Sequence, residues 1–244
     1  GLNVQADAVE KATGSMIMTT SHGFWSVGIM AGSLIGSALA ALGLEARWAI
    51  ALVSTLVLPL SIVVALALPV YAESSESGEG KRSAWALPSW ALLGICFFVF
   101  GITMTEGAMA DWSAIFLRDA LGAEAGTMGL GYSVFALMVA AGRFGGDTLK
   151  RRFGAVTTAR ICGVLALTGA AILFVTPNTA LALIGFGVIG LGVSVGFPLA
   201  VTAAAGLTDR AASANVAILS FVALLGFLVG PPVIGFVAEH ADIR

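Results

Sequence analysis

Long apolar runs separated by short polar breaks dominate the chain. They fall at 17–42, 48–70, 88–116, 127–144, 156–175, 179–205 and 214–238. A helix needs roughly 20 apolar residues to cross a hydrocarbon core, and these runs reach or approach that length. In lipid every backbone N–H and C=O must be paired within the spanning element, which leaves helices or closed barrels. No run alternates polar and apolar residues as a barrel strand of about ten residues does. The pattern therefore predicts an all-α membrane protein, a polytopic helical bundle of seven spans. Only Thr176-Pro177-Asn178 and Thr208-Asp209-Arg210 divide the last three.

The longest polar break, 71–83, is rich in Ser, Gly and Glu. It is too polar to bury and too glycine-rich for a helix, so it reads as a linker with two spans before it and five after. Composition agrees: 58% of residues are hydrophobic and only 11% are charged, against roughly 25% charged in a soluble domain. Cys96 and Cys162 sit in apolar runs without metal-ligand spacing and read as free core thiols. The basic residues are scattered or at span edges, which argues against a nucleic-acid partner.

Those basic residues also fix a direction. Lys11, Lys81, Arg82, Arg143, Lys150, Arg151, Arg152, Arg160 and Arg210 fall on one side, and Arg47, Arg118 and Arg244 on the other. By the positive-inside rule the richer side is cytoplasmic. The first span then runs outward and the C-terminal end of the chain lies outside.

Two glycine rows stand out. The first span carries Gly28, Gly32 and Gly36, and the seventh carries Gly226, Gly230, Pro231, Pro232 and Gly235. Small residues four apart let a neighbouring backbone approach closely. Both rows lie midway along outward-running spans and roughly two hundred residues apart, a length that fits a six-helix structural repeat. Kinks are expected at Pro59, Pro198 and the tandem prolines, each of which removes a backbone donor.

Charged residues inside spans cost on the order of 3 kcal/mol by insertion scales. Glu106, with Asp111 further outward, lies in the third span, and its position counted from Pro88 places it in the outer half. A carboxylate there is suited to take up a proton or to hold a polar substrate group. Pairing with Arg118 is the plainer alternative. His22 and Ser26 start a polar stripe with Ser33 and Ser37 that suits either a water-filled cavity or helix-to-helix hydrogen bonds. Tyr132 and Asn215 are further cavity candidates. The fourth span closes on Gly142-Arg143-Phe144-Gly145-Gly146-Asp147-Thr148-Leu149-Lys150-Arg151-Arg152-Phe153-Gly154. Its glycines permit a tight inter-helix turn, and Asp147 is placed to pair with Arg143 or Arg151 or to cap the next helix.

That segment resembles the loop motif of the major facilitator superfamily, which recurs after the second and eighth helices. The proline-bearing glycine row resembles the packing motif of the family's fifth and eleventh helices. Glu106-Gly-Ala-Met-Ala-Asp111-Trp112 and His22-Gly-Phe-Trp-Ser26 resemble an uncharacterised bacterial branch. The resemblance implies a partial bundle of this type, covering about helices five to eleven of twelve. Residues 1–14 would be the tail of a preceding helix and its cytoplasmic loop. Residues 15–70 would be the last two helices of the N-terminal bundle, 71–87 the linker between halves, and 88–244 the first five helices of the C-terminal bundle. It also implies a gating loop of Gly142, Arg143, Gly146, Asp147, Arg151 and Arg152. Asp147 and Arg143 would form its latch pair, with Thr148 standing where a basic residue is usual.

Gly185-Phe186-Gly187-Val188-Ile189-Gly190 matches a dinucleotide fingerprint, but inside an apolar span it reads as packing. There is no metal-ligand cluster and no catalytic or cofactor motif, so neither an enzyme nor a cofactor is expected. The function expected is secondary transport of a small solute, coupled to protons, in a bacterial cytoplasmic membrane, by a chain that is a monomer when complete. Rival readings are a seven-helix receptor, which lacks a Lys in any span for a retinal Schiff base, and a non-transporting membrane scaffold.

Overall fold

The computed structural model describes residues 2–67, 88–123 and 125–240, and among them only helices occur. The linker expected at 71–87 lies outside the described residues, as do the side chains of Ser33, Gly36 and Ser37. The elements are α1 (Leu2–Thr13), α2 (Met18–Ala41), α3 (Ala46–Ala67), α4 (Trp90–Asp119), the single turn α5 (Ala125–Met128) and α6 (Leu130–Phe153). They continue with α7 (Ala155–Val175), α8 (Thr179–Val193), α9 (Gly196–Ala205) and α10 (Ala212–His240). Among the described residues, α3, α4, α7, the α8–α9 segment and α10 are long and apolar enough to cross a membrane. Helices α2 and α6 have 24 residues each, a spanning length; α2 carries no charged residue, and α6 ends on the charged segment Asp147 to Arg152. They are the two helices that build the site described below.

Helices α4 and α10 form the tightest pair, and the sequence explains why. A Cβ on Gly226 would strike Thr103 Oγ1 and the Phe100 carbonyl, and one on Gly230 would come within 2.8 Å of the Met104 carbonyl. Gly107 answers from α4, where an added Cβ would lie 3.2 Å from the Phe227 carbonyl. With no side chain at these crossings the backbones touch, as the small-residue rule requires. Trp112, which sequence alone marks as an interface aromatic, instead fastens this pair. Its Nε1–H donates to the Pro231 carbonyl at 3.1 Å, and its ring lies where a Cβ on Gly235 would point. Pro231 and Pro232 are contained within a continuous α10.

Helix α8 uses its glycines on two sides. Gly185 and Gly192 face Leu173 and Ala166 of α7, while Gly187 and Gly190 face Met138 and Phe135 of α6. The fingerprint-like run is thus a packing surface. The expected span over 179–205 is one membrane-length segment, and the kink expected at Pro198 takes the form of a break at Ser194 and Val195. Pro198 is the cause: it has no N–H to return to Ser194, and its ring crowds that carbonyl. The break leaves the Ser194 carbonyl free for another donor.

Helix α6 corrects the expectation for the loop motif. Residues 142–153 are helical, and the turn into α7 is Gly154 alone, at φ 78° in the left-handed region that favours glycine. Gly142 and Gly146 serve close approach instead. A Cβ on Gly142 would strike Ser194, and one on Gly146 would strike Thr19 of α2 and Val195. Helix α3 lies at the edge of the described bundle. Among the described elements α3 touches α2 alone, while α2 rests on α6 and α9. Nothing described lies within 4 Å of a Cβ built on Gly28 or Gly32.

Candidate functional site

The site forms where the N-terminal turns of α2 cross the C-terminal half of α6. Asp147 projects from α6 onto the start of α2. Its Oδ1 accepts the Thr19 N–H at 3.3 Å, and its Oδ2 accepts the Thr20 N–H at 2.9 Å and the Thr20 hydroxyl at 2.7 Å. Glu10, at the end of α1, accepts the Ile17 and Met18 N–H groups through Oε1 at 2.6 and 2.8 Å. The first intrahelical bond runs from Ser21 N–H to the Ile17 carbonyl. A helix leaves four N-terminal donors without intrahelical partners, and here two carboxylates take all of them. Both also face the positive end of the helix dipole. Glu10 belongs to the segment leading into α2, whereas Asp147 reaches it from across the seam.

About one turn deeper along α6, Arg143 is buried with 7% of its side chain exposed. Its Nη2 pairs with Glu106 Oε1 of α4 at 2.9 Å. Its Nη1 donates to Ser26 Oγ at 2.6 Å and to the His22 carbonyl at 3.4 Å, both on α2. Its Nε donates to the Ser194 carbonyl at 3.1 Å, the group freed by Pro198. One guanidinium therefore joins α2, α4 and the α8–α9 break, using the rigid fork that suits Arg rather than Lys to this place. Ser26 passes the contact on, since its hydroxyl also donates to the His22 carbonyl at 3.3 Å. Aromatic packing closes the seam around it. The Phe144 ring meets Phe24 edge-on at 5.4 Å and covers Gly23, where a Cβ would lie 3.1 Å from the ring.

The structure thus unites Glu106, Arg143 and Ser26, which sequence reasoning held as separate candidates. It separates Arg143 from Asp147, expected as a latch pair: each has its own partners. Glu106 lies just past the midpoint of the 30-residue α4, less far along than the count from Pro88 implies because the helix runs on to Asp119. Its alternative partner Arg118 is taken by Asp119 at 2.6 Å. The His22 ring turns aside, with Nδ1–H donating to the Met18 carbonyl at 3.0 Å and the ring against Phe197. Only its carbonyl enters the site.

Asp111 is exposed, and Tyr132 is half-buried on α6 within electrostatic reach of Glu106 and Arg143. Asn215 lies elsewhere, at the start of α10, donating to Asp209 Oδ1 at 3.0 Å. Arg151 reaches back to Thr148 Oγ1 at 3.0 Å, and Arg152 lies over the Phe153 ring, so both end at the surface. Glu10 and Ser194 are the residues sequence reasoning missed. For Ser194 a signal existed, four residues before Pro198. Among the described residues no cluster could hold a metal ion.

The family model of the Major Facilitator Superfamily matches residues 1–191 and 112–244. An uncharacterised MFS-type transporter of Yersinia pestis is 34% identical over 99% of this chain and 62% of its own length. Membrane protein MosC of Rhizobium meliloti is 32% identical over 99% of this chain and 58% of its own. An uncharacterised transporter of Sinorhizobium fredii is 30% identical over all of this chain and 64% of its own. The chain accordingly spans less than two thirds of each of these relatives.

Proposed function

Because this chain belongs to the major facilitator superfamily, we propose that the whole protein is a proton-coupled secondary transporter of a small solute, working by alternating access in the bacterial cytoplasmic membrane. The observation that carries the reading is the buried Arg143, bonded at once to Glu106 of α4 and to Ser26 of α2. Helices α2 and α3 are the end of one bundle, and α4 with α6 to α10 belong to the other. The cations at the end of α6 and the start of α7 mark the cytoplasmic side, which sends the end of α10 outside. The α2–α6 seam is then the cytoplasmic closure, and the arrangement described here is closed to the cytoplasm. The working protein is a monomer, and its partners are the solute, protons and the bilayer.

Glu106 is the proton carrier in this reading. With Glu106 ionised, Arg143 has a counter-charge while buried. Once Glu106 is protonated, Arg143 is a buried cation without one, a change that typically costs about 3–5 kcal/mol when one partner of a buried pair is lost. The penalty falls on the closed seam alone, because opening lets water reach the guanidinium. Protonation therefore favours opening to the cytoplasm, and the two events are coupled through one side chain.

Single-cysteine labelling of the full-length protein, with Cys96 and Cys162 replaced, tests alternating access. Thr19→Cys reports the cytoplasmic seam, where Thr19 is 2% exposed. Tyr132→Cys reports the opposite end of α6. Conditions that raise labelling at 19 should lower it at 132. Rates that rise and fall together would mean a seam that merely loosens, and would end the proposal.

A further inference from the structure

The charges around Glu106 point to the chemistry of the solute. Glu106 meets Arg143 of α6, with Tyr132 of α6 within electrostatic reach of the pair and also of Asp111 of α4. From α2 the ionisable neighbour is His22, whose ring is turned to Met18 and Phe197. Asp147 of α6 is held by the N-terminus of α2. Helices α8 and α9 contribute no charged side chain. Glu239 and His240 lie at the far end of α10. The buried site therefore holds one cation and one carboxylate, and its balance rests on Arg143.

Three of Arg143's contacts are to neutral acceptors: the Ser26 hydroxyl and the carbonyls of His22 and Ser194. Only Nη2 faces an anion, and that anion is a carboxylate at 2.9 Å. When Glu106 takes a proton on a carboxyl oxygen, its charge disappears and the Nη2 position loses its anion. A cationic solute would meet the uncompensated guanidinium as a like charge. A neutral solute would leave it uncompensated in a low-dielectric site. A second carboxylate restores both the charge and the charge-assisted hydrogen bond.

We infer that Arg143 binds a small monoanionic carboxylate solute, which takes the place of Glu106 on Nη2 when Glu106 is protonated. This rests on the proton-carrier reading of Glu106 given above and adds the solute class. Proton and carboxylate together bring no net charge into the site, so movement of the pair is electroneutral.

The test uses the purified full-length protein and matched probes: formate, acetate, lactate and benzoate, each against its own primary amide at equal ionic strength. The readout is the ligand-dependent shift in melting temperature at pH 5 and pH 8. The wild type should be stabilised by at least one carboxylate over its amide at pH 5 and lose most of that preference at pH 8. Glu106→Gln should show the preference at both pH values, with affinity about tenfold or more above that of the wild type at pH 8. The double variant Glu106→Gln, Arg143→Gln has no buried charge to strand and should show none. If Glu106→Gln favours no carboxylate over its amide, or the double variant retains the preference, the inference is overturned. Failure of the proton reading looks different: Glu106→Gln would still favour carboxylates, while the wild type would respond equally at both pH values.

Discussion

Replacing Asp147 with Asn tests the cytoplasmic closure at its simplest point. The side chain keeps its shape and one carbonyl oxygen but loses its charge and one acceptor. In the closed seam Asp147 accepts two backbone N–H groups and one hydroxyl, at 3.3, 2.9 and 2.7 Å. A negative charge at a helix N-terminus contributes about 0.3–1 kcal/mol when exposed and up to about 2 when partly buried. Asp147 is 3% exposed, so the upper part of that range applies. Exchanging a charged acceptor for a neutral one weakens the remaining bonds by a similar order. A net loss of about 1–2 kcal/mol shifts the open-to-closed ratio by roughly five- to thirtyfold.

The Glu10 cap belongs to the same segment as α2 and is unaffected, so the helix itself should not unravel. The assay is the maleimide labelling rate at Thr19→Cys, read where opening is fast relative to labelling so that rate reports open population. The rate should rise about tenfold in Asp147→Asn, with Asp147→Ala at least as high. An unchanged rate in both variants would refute the claim that this carboxylate holds the seam shut.

Three further outcomes follow from other contacts. Gly226→Ala forces a methyl into Thr103 and the Phe100 carbonyl and should destabilise the protein by about 1–3 kcal/mol. Gly94→Ala, with nothing within 4 Å, should leave the melting temperature within a degree or two, and equal effects would dismiss the α4–α10 seam. Trp112→Phe keeps a ring over Gly235 but removes the donor to the Pro231 carbonyl, and should lower stability by about 0.5–1.5 kcal/mol. Hydrogen bonds from Ser89 and Asn215 hold the Asp209 carboxyl below the usual carboxylate range. Its contribution is therefore present above the unfolded-state pKa and is lost as pH falls through the lower folded value. Asp209→Asn should flatten that acid limb of the stability profile, and an unaltered limb would rule the contribution out.

Much of this architecture was legible because membrane helices are written in length and hydropathy. The apolar runs at 48–70, 88–116, 156–175 and 214–238 each became one helix within a few residues. The row at Gly226 and Gly230 became a backbone-to-backbone contact. The run at 179–205 likewise spans as one segment, with the kink expected at Pro198 seen as the break at Ser194 and Val195; that the break frees the Ser194 carbonyl is not something hydropathy registers. Of the loop motif's glycines Gly154 makes the expected turn, while Gly142 and Gly146 misled, because glycine serves turns and close approach alike. Only the partners at Gly142 and Gly146 show which applies.

Glu106 and Arg143 were visible singly as charges inside spans. Their pairing was not, since it joins positions 37 residues apart on helices whose rotations the sequence leaves open. The same holds for Asp147, whose partners are backbone groups 127 and 128 residues away.

The dependence of seam opening on Glu106 is measured most directly as the pH profile of labelling at Thr19→Cys, with and without Glu106→Gln. With Glu106 present, labelling should be slow at alkaline pH and accelerate on acidification, as protonation strips Arg143 of its counter-charge. With Gln at 106 the rate should be fast and flat across the same range. A slow, pH-independent seam in the Gln variant would contradict the account, because Arg143 would then stay buried without any counter-charge from Glu106.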